Sequence, residues 1–179
     1  MGQRLVVSIQ KGGEEIANIY YHWSGYTCAA LNEAAEIIDA IQKSKDEDIR
    51  LALLKHLEKT GGGVCGEDIE YASKLFPNHK VKTEGVDRNN GLIAFSEEQR
   101  KVSQKWSEMD LSLDLDNETA DIEGAFWWTD EEPEDKTNTE VIDEQNLCEV
   151  PFEDIYWWRD KVYDLDGIYM CEYYLEISQ

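Results

Sequence analysis

An α+β domain is what this sequence predicts. Short alternating or β-branched runs punctuated by turn residues are interspersed with apolar positions recurring at helical spacing, and the 179-residue length suits one core. The expected architecture is a single domain over residues 1–179, with an antiparallel sheet of about five strands and four or five helices. A chain of this size buries roughly 70% of its unfolded surface. Its six Trp, nine Tyr and four Phe supply the apolar area for that core.

Each element has its own signal. Residues 5–9 and 16–23 are β-branched and aromatic and flank Lys11-Gly12-Gly13-Glu14, which reads as a hairpin. Ala30, Leu31, Ala34, Ile37, Ile38 and Ile41 then recur on one face of a helix. A second helix over about 46–59 turns Ile49, Ala52, Leu53 and Leu57 inward and stops at Gly61-Gly62-Gly63, and a third spans about 67–76 before Pro77. The irregular stretch 78–90 ends in the turn Arg88-Asn89-Asn90-Gly91, leading into a short strand at 92–95. Ser96-Glu97-Glu98-Gln99 is a capping box, predicting a helix to about Trp106.

Leu111, Leu113 and Leu115 alternate with Ser112, Asp114 and Asp116, and after a turn at Asn117-Glu118 a return strand carries Ala120, Ile122, Gly124 and Phe126 on one face. This hairpin has an oily side and an acidic side. Residues 130–146 read as an acidic loop; Pro151 suits the first turn of a last helix, on which Phe152, Ile155, Tyr156, Arg159, Val162 and Tyr163 share a face. Asp166-Gly167 turns into a closing strand at 168–177.

Charge is the most informative property of the chain. Residues 1–90 hold 14 acids and 11 bases, whereas 91–179 hold 25 acids and 6 bases. Between Ser107 and Asp154, eighteen acids face a single cation, Lys136. A merely solvated surface intersperses both signs, and a salt-adapted protein would be acidic throughout; neither describes this chain. A one-signed face repels nucleic acid and anionic membranes and attracts cationic surfaces, with a reach of about 8 to 10 Å at physiological salt. On a strand pair, Asp114 and Asp116 with Asp121 and Glu123 opposite would form a lattice of carboxylates that mimics a nucleic-acid backbone. The expected partner is a basic nucleic-acid-binding protein. The expected contacts are Asp110, Asp114, Asp116, Glu118, Asp121 and Glu123, together with Asp130, Glu131, Glu132, Glu134 and Asp135. Trp127 and Trp128 are expected to pack in the core or stack on partner arginines.

Other chemistry finds little support. Gly61, Gly63 and Gly66 match the spacing of a dinucleotide fingerprint but follow a helix, and Glu67-Asp68 would repel a pyrophosphate there. The acids at 110–121 fit no register of an EF-hand loop. His22, His56 and His79 are not placed by sequence beside any nucleophile. No catalytic role, cofactor or metal is therefore expected. Cys28, Cys65, Cys148 and Cys171 lack paired spacing and read as reduced, mostly buried thiols. No apolar run reaches the length of a membrane span and no leader is evident, which reads as cytoplasmic.

The opening Met1-Gly2-Gln3-Arg4, the segment Ala17-Asn18-Ile19-Tyr20-Tyr21-His22-Trp23-Ser24-Gly25-Tyr26-Thr27 and the segment Arg88-Asn89-Asn90-Gly91-Leu92-Ile93-Ala94-Phe95-Ser96 resemble a family of small proteins encoded by bacteriophages and mobile elements, some of which are anti-CRISPR inhibitors of Cas9. The resemblance covers about the first 40 residues and a patch near 88–98, and carries over no contact residue. It implies a phage-type inhibitor acting in the host cytoplasm on a Cas9–guide RNA complex, whose positive channel holds the heteroduplex. Three alternatives stand beside it: an acidic mimic aimed at a restriction, nucleoid or repair protein; a phage hydrolase; and an assembly factor, in which a homodimer could form through the last strand.

Overall fold

The structure is a computed structural model that describes residues 4–25, 27–124 and 148–162. Its described residues form one α+β unit of five helices and a seven-stranded sheet. In chain order these are β1 (Leu5–Lys11), β2 (Glu14–Tyr21), α1 (Thr27–Lys43), α2 (Ile49–Lys59), β3 (Gly63–Val64), α3 (Ile69–Leu75), β4 (Leu92–Ala94), α4 (Glu97–Lys105), β5 (Met109–Asp114), β6 (Thr119–Gly124), β7 (Val150–Pro151) and α5 (Phe152–Val162). The sheet order is β3-β4-β2-β1-β5-β6-β7.

Two features differ from the sequence expectation of about five antiparallel strands. The sheet is mixed, because β1 pairs parallel with β5 and β3 parallel with β4. It has seven strands because β3 and β7, two residues each, are too short to show a period. The parallel pair at the sheet centre is possible because 97 residues, carrying four helices, separate the end of β1 at Lys11 from the start of β5 at Met109.

One sheet face holds the core. Leu5, Val7 and Ile9 of β1, Ala17 and Ile19 of β2, Leu111 and Leu113 of β5 and Ala120 and Ile122 of β6 alternate into it. Helix α1 covers them with Leu31, Ala34, Ile37 and Ile38, all fully buried. Helix α5 packs along α1 through Phe152, Ile155 and Trp158, and the Tyr156 hydroxyl reaches the Ala35 carbonyl. The buried face of α5 thus includes Trp158, while Trp157 points outward and is 54% exposed. Pro151 ends β7 one residue before the helix, not inside it.

Helix starts follow their caps. Asp48 accepts the Arg50 N–H at the head of α2. Ser96 accepts the Gln99 N–H at 3.3 Å, the first half of the capping box; the Gln99 carbonyl oxygen instead accepts from the Cys65 thiol. Gly91 must be glycine: its φ is 104°, and a Cβ there would lie 2.9 Å from both Leu57 and Tyr21. No helix among the described residues is long and apolar enough to cross a membrane. Of the thiols, Cys65 is buried and Cys148 exposed, so burial is not general. The expected acidic loop 130–146, Trp127, Trp128, Tyr163 and the closing strand 168–177 lie outside the described residues.

Candidate functional site

The face of the sheet opposite α1 carries the polar halves of the alternating strands: Ser8 and Gln10 on β1, Asn18 and Tyr20 on β2, Asp110 and Ser112 on β5, Asp121 and Glu123 on β6. Helix α4 covers only part of it. Its register on the β2 side is set by Arg100, whose backbone carbonyl accepts from Asn18 Nδ2 at 2.9 Å and whose guanidinium pairs with Glu15 at 3.2 Å. Glu15 also accepts from Ser8 Oγ at 2.5 Å and Gln104 Nε2 at 2.7 Å, so this carboxylate is consumed in docking α4.

Beyond Gln104 the sheet is open. A groove of about 400 Å³ runs there, walled by Asp110, Asp121 and Glu123 and floored by Ser8, Gln10 and Ser112. No Lys or Arg among the described residues lines it. Register produces this concentration: in the antiparallel β5–β6 pair Asp110 lies directly across from Glu123, and Ser112 across from Asp121. Opposed like charges on adjacent strands are destabilising, by roughly 0.2 to 1 kcal/mol. Asp110 accepts a hydrogen bond from Ser107 Oγ at 2.6 Å, and Asp121 accepts the Glu149 N–H at 2.6 Å, which pins the approach to β7.

The remaining described acids of the expected contact set do other things. Asp114 ends β5 and closes the turn, accepting from Asn117 Nδ2 at 2.8 Å, Asp116 N at 3.0 Å and Asn117 N at 3.1 Å. The Asn117 side chain, then its amide, holds the Asp114 carboxyl below the usual aspartate value. Asp116 accepts the Gly12 N–H at 2.5 Å, tying the β5–β6 turn to the β1–β2 turn. Glu118 sits in the left-handed region at φ 53°, and its carbonyl accepts the Phe152 N–H. The sequence expectation that Asp114 and Asp116 face Asp121 and Glu123 is therefore corrected: Asp114 faces Thr119, and Asp116 lies in the turn. A four-residue loop replaces the expected two-residue turn, which moves the pairing by two positions and leaves each side chain on its original face. Asp130, Glu131, Glu132, Glu134 and Asp135 lie outside the described residues.

Sequence reasoning missed the buried carboxylate that supports this arrangement. Asp68, 1% exposed, accepts the Phe95 N–H at 2.6 Å, the Ser96 N–H at 2.9 Å and the Ser96 hydroxyl at 2.5 Å. It therefore fixes the head of α4 from below. No local pattern marks it, because the partners are 27 and 28 residues away. The three histidines are dispersed: His22 Nδ1 meets the Tyr20 hydroxyl at 2.8 Å, His79 meets Glu58 at 2.6 Å, and burial lowers the pKa of His56 on α2. Among the described residues no group of three or more His, Cys, Asp or Glu is placed to hold a metal ion.

Comparison with protein families, with curated proteins and with solved structures found no match to this chain.

Proposed function

We propose that this chain is a phage-type inhibitor that occupies a basic nucleic-acid channel through its acidic sheet face, with a Cas9–guide RNA complex as the target. The observation that carries this reading is the open groove in which Asp110, Asp121 and Glu123 stand together without a cation among its described lining residues. Carboxylates held by a β-sheet are already positioned, so docking on lysines and arginines costs little ordering entropy. A surface that normally grips phosphates supplies those cations, and their counterions are exchanged for the fixed acids. The target assignment rests on the sequence resemblance of the first 40 residues and the patch near 88–98.

The reaction of interest is competition, and it involves no bond making. A Cas9–guide complex, labelled target DNA and a salt titration provide the test. The wild-type protein should displace the DNA at low salt and lose affinity steeply as salt rises. Charge removal by Asp110→Asn, Asp121→Asn and Glu123→Gln, which keeps acceptor oxygens for the Ser107 hydroxyl and the Glu149 N–H, should abolish displacement; Asp114 and Asp116 are unsuitable for this purpose because they build the turn. Displacement unchanged by the triple variant would reject the groove. Capture of a restriction, nucleoid or repair protein from host lysate, released by salt, with no effect on Cas9, would move the target while keeping the mechanism.

A further inference from the structure

Helix α4 divides the polar sheet face, and the pocket on its other side contains two arginines, one of them already paired with Glu108. It lies where β1 and β5 begin and β2 ends, has a volume of about 490 Å³, and is built around Arg4, Arg88, His22, Tyr20 and Trp106. That volume falls within the roughly 300 to 1,000 Å³ of ordinary small-ligand sites. We propose that this pocket binds a small planar ring bearing a phosphate, of the class of a nucleoside monophosphate. This goes beyond the proposed inhibitor function and uses none of the groove acids.

Four observations carry the inference. Trp106, the C-cap of α4, is 56% exposed and so leaves ring surface open at the pocket for a planar group to stack on. The Arg4 guanidinium lies 5.5 Å from the Trp106 ring centroid and is held there by two side-chain contacts to Glu108, at 3.3 and 3.2 Å. A planar ligand thus meets an oriented cation beside an aromatic surface. Arg88 is exposed on the pocket wall and makes no ion pair with any described residue, although the chain carries a net charge of −22. Its backbone carbonyl accepts the His22 N–H at 3.2 Å, so the arginine is fixed at its root while its planar, five-donor head is available to a phosphate.

The local potential is consistent with an anion. Burial first, and then the charges of Arg88 and Arg4, lower the pKa of His22, against Glu108, which raises it, so the imidazole lies within reach of both guanidinium charges. Acids are present as well: Glu67 lines the rim, and Glu108 is engaged with Arg4. The neutral polar groups Gln99 and Ser103 complete the wall from α4. A single phosphate is matched by Arg88 and the remaining donors of Arg4. A polyanion is not, because the charge of the whole chain opposes it.

Equilibrium titration calorimetry of the full chain with adenosine monophosphate, adenosine, inorganic phosphate and a five-nucleotide RNA tests this. Saturable binding of the monophosphate is expected. It should weaken at least tenfold in Arg88→Ala and in Trp106→Ala, both surface changes, and be unaffected by Glu123→Gln. Adenosine and phosphate should each bind at least tenfold more weakly than the monophosphate. Absence of saturable monophosphate binding up to millimolar concentration would overturn the proposal. So would binding insensitive to both pocket variants, phosphate binding as tight as the monophosphate, or RNA binding tighter than the monophosphate. Failure here leaves the DNA competition assay intact, since that assay reads the groove on the opposite side of α4.

Discussion

Glu123→Gln should make the protein more stable, because Glu123 lies directly across from Asp110 on the neighbouring strand. Opposed side chains in an antiparallel pair have Cβ atoms about 5 Å apart, and two unit charges at that distance in water repel by about 0.8 kcal/mol. Removing one charge while keeping the shape should therefore raise stability by about 0.5 to 1 kcal/mol, or about 1 to 4 °C in Tm for a chain of this size. Asp110→Asn should give the same gain, since Ser107 Oγ still finds its acceptor oxygen. The double variant should gain little more than either single one, because each alone abolishes the pair. Thermal denaturation followed by circular dichroism, at about 20 mM and about 1 M salt, is the measurement. At the higher salt the screening length falls to about 3 Å and the gain should largely vanish. A lowered Tm for Glu123→Gln, or an increase equal at both salts, would refute the argument that register concentrates repulsive charge on this face.

Other outcomes follow from buried and exposed side chains elsewhere in the fold. Burial lifts the Glu33 carboxyl to a pKa of about 8, against hydrogen bonds from Ser24 and Tyr21 that favour ionisation. A raised folded pKa means that the folded state holds the proton longer than the unfolded chain. Stability should accordingly be greatest below pH 4.5 as far as this group is concerned, and fall as pH rises towards about 8. Glu33→Gln should flatten that slope and gain roughly 2 kcal/mol or more at pH 8.5, read by urea denaturation across pH. Asp68→Ala should cost about 3 kcal/mol or more by orphaning the Phe95 and Ser96 N–H groups, measured by the same denaturation at pH 7. In single-cysteine variants, exposed Cys148 should react rapidly with a thiol reagent at pH 8. Buried Cys65, its pKa pushed up to about 12, should react at least a hundredfold more slowly.

Much of the local structure was legible because it is periodic. Leu111 and Leu113 alternate with Asp110, Ser112 and Asp114, and this period of two placed each side chain on the correct face even though the turn length was misjudged. Helix α1 was legible for the same reason at a period of 3.6. What the pattern could not reveal was partnership between distant segments. Nothing in residues 5–11 or 109–114 announces that they lie side by side and parallel; shared packing on α1 decides it. The same applies to Asp68, whose partners lie on the loop before α4, and to Glu15, drawn into Arg100 and Gln104. Asp110, Asp121 and Glu123, which wall the groove, all belong to the expected contact set, whereas Asp114 and Asp116 of that set are spent on hydrogen bonds within and between turns. The Arg4–Trp106 pocket was not anticipated, because its residues come from segments far apart in the chain, from Arg4 to Trp106.

The parallel β1–β5 seam has a consequence for biosynthesis. β1 leaves the ribosome with β2 as a ready neighbour, yet the strand that completes its other side begins about a hundred residues later, at Met109. At about 5 to 20 residues per second, that flank stays bare for roughly 5 to 20 s. Val6, Val7 and Ile9 make it a sticky template during that interval. Chains truncated before β5 should therefore precipitate instead of yielding a stand-alone amino-terminal half, and the carboxylate-bearing hairpin should not act as an excised peptide, because the strand that braces it would be missing.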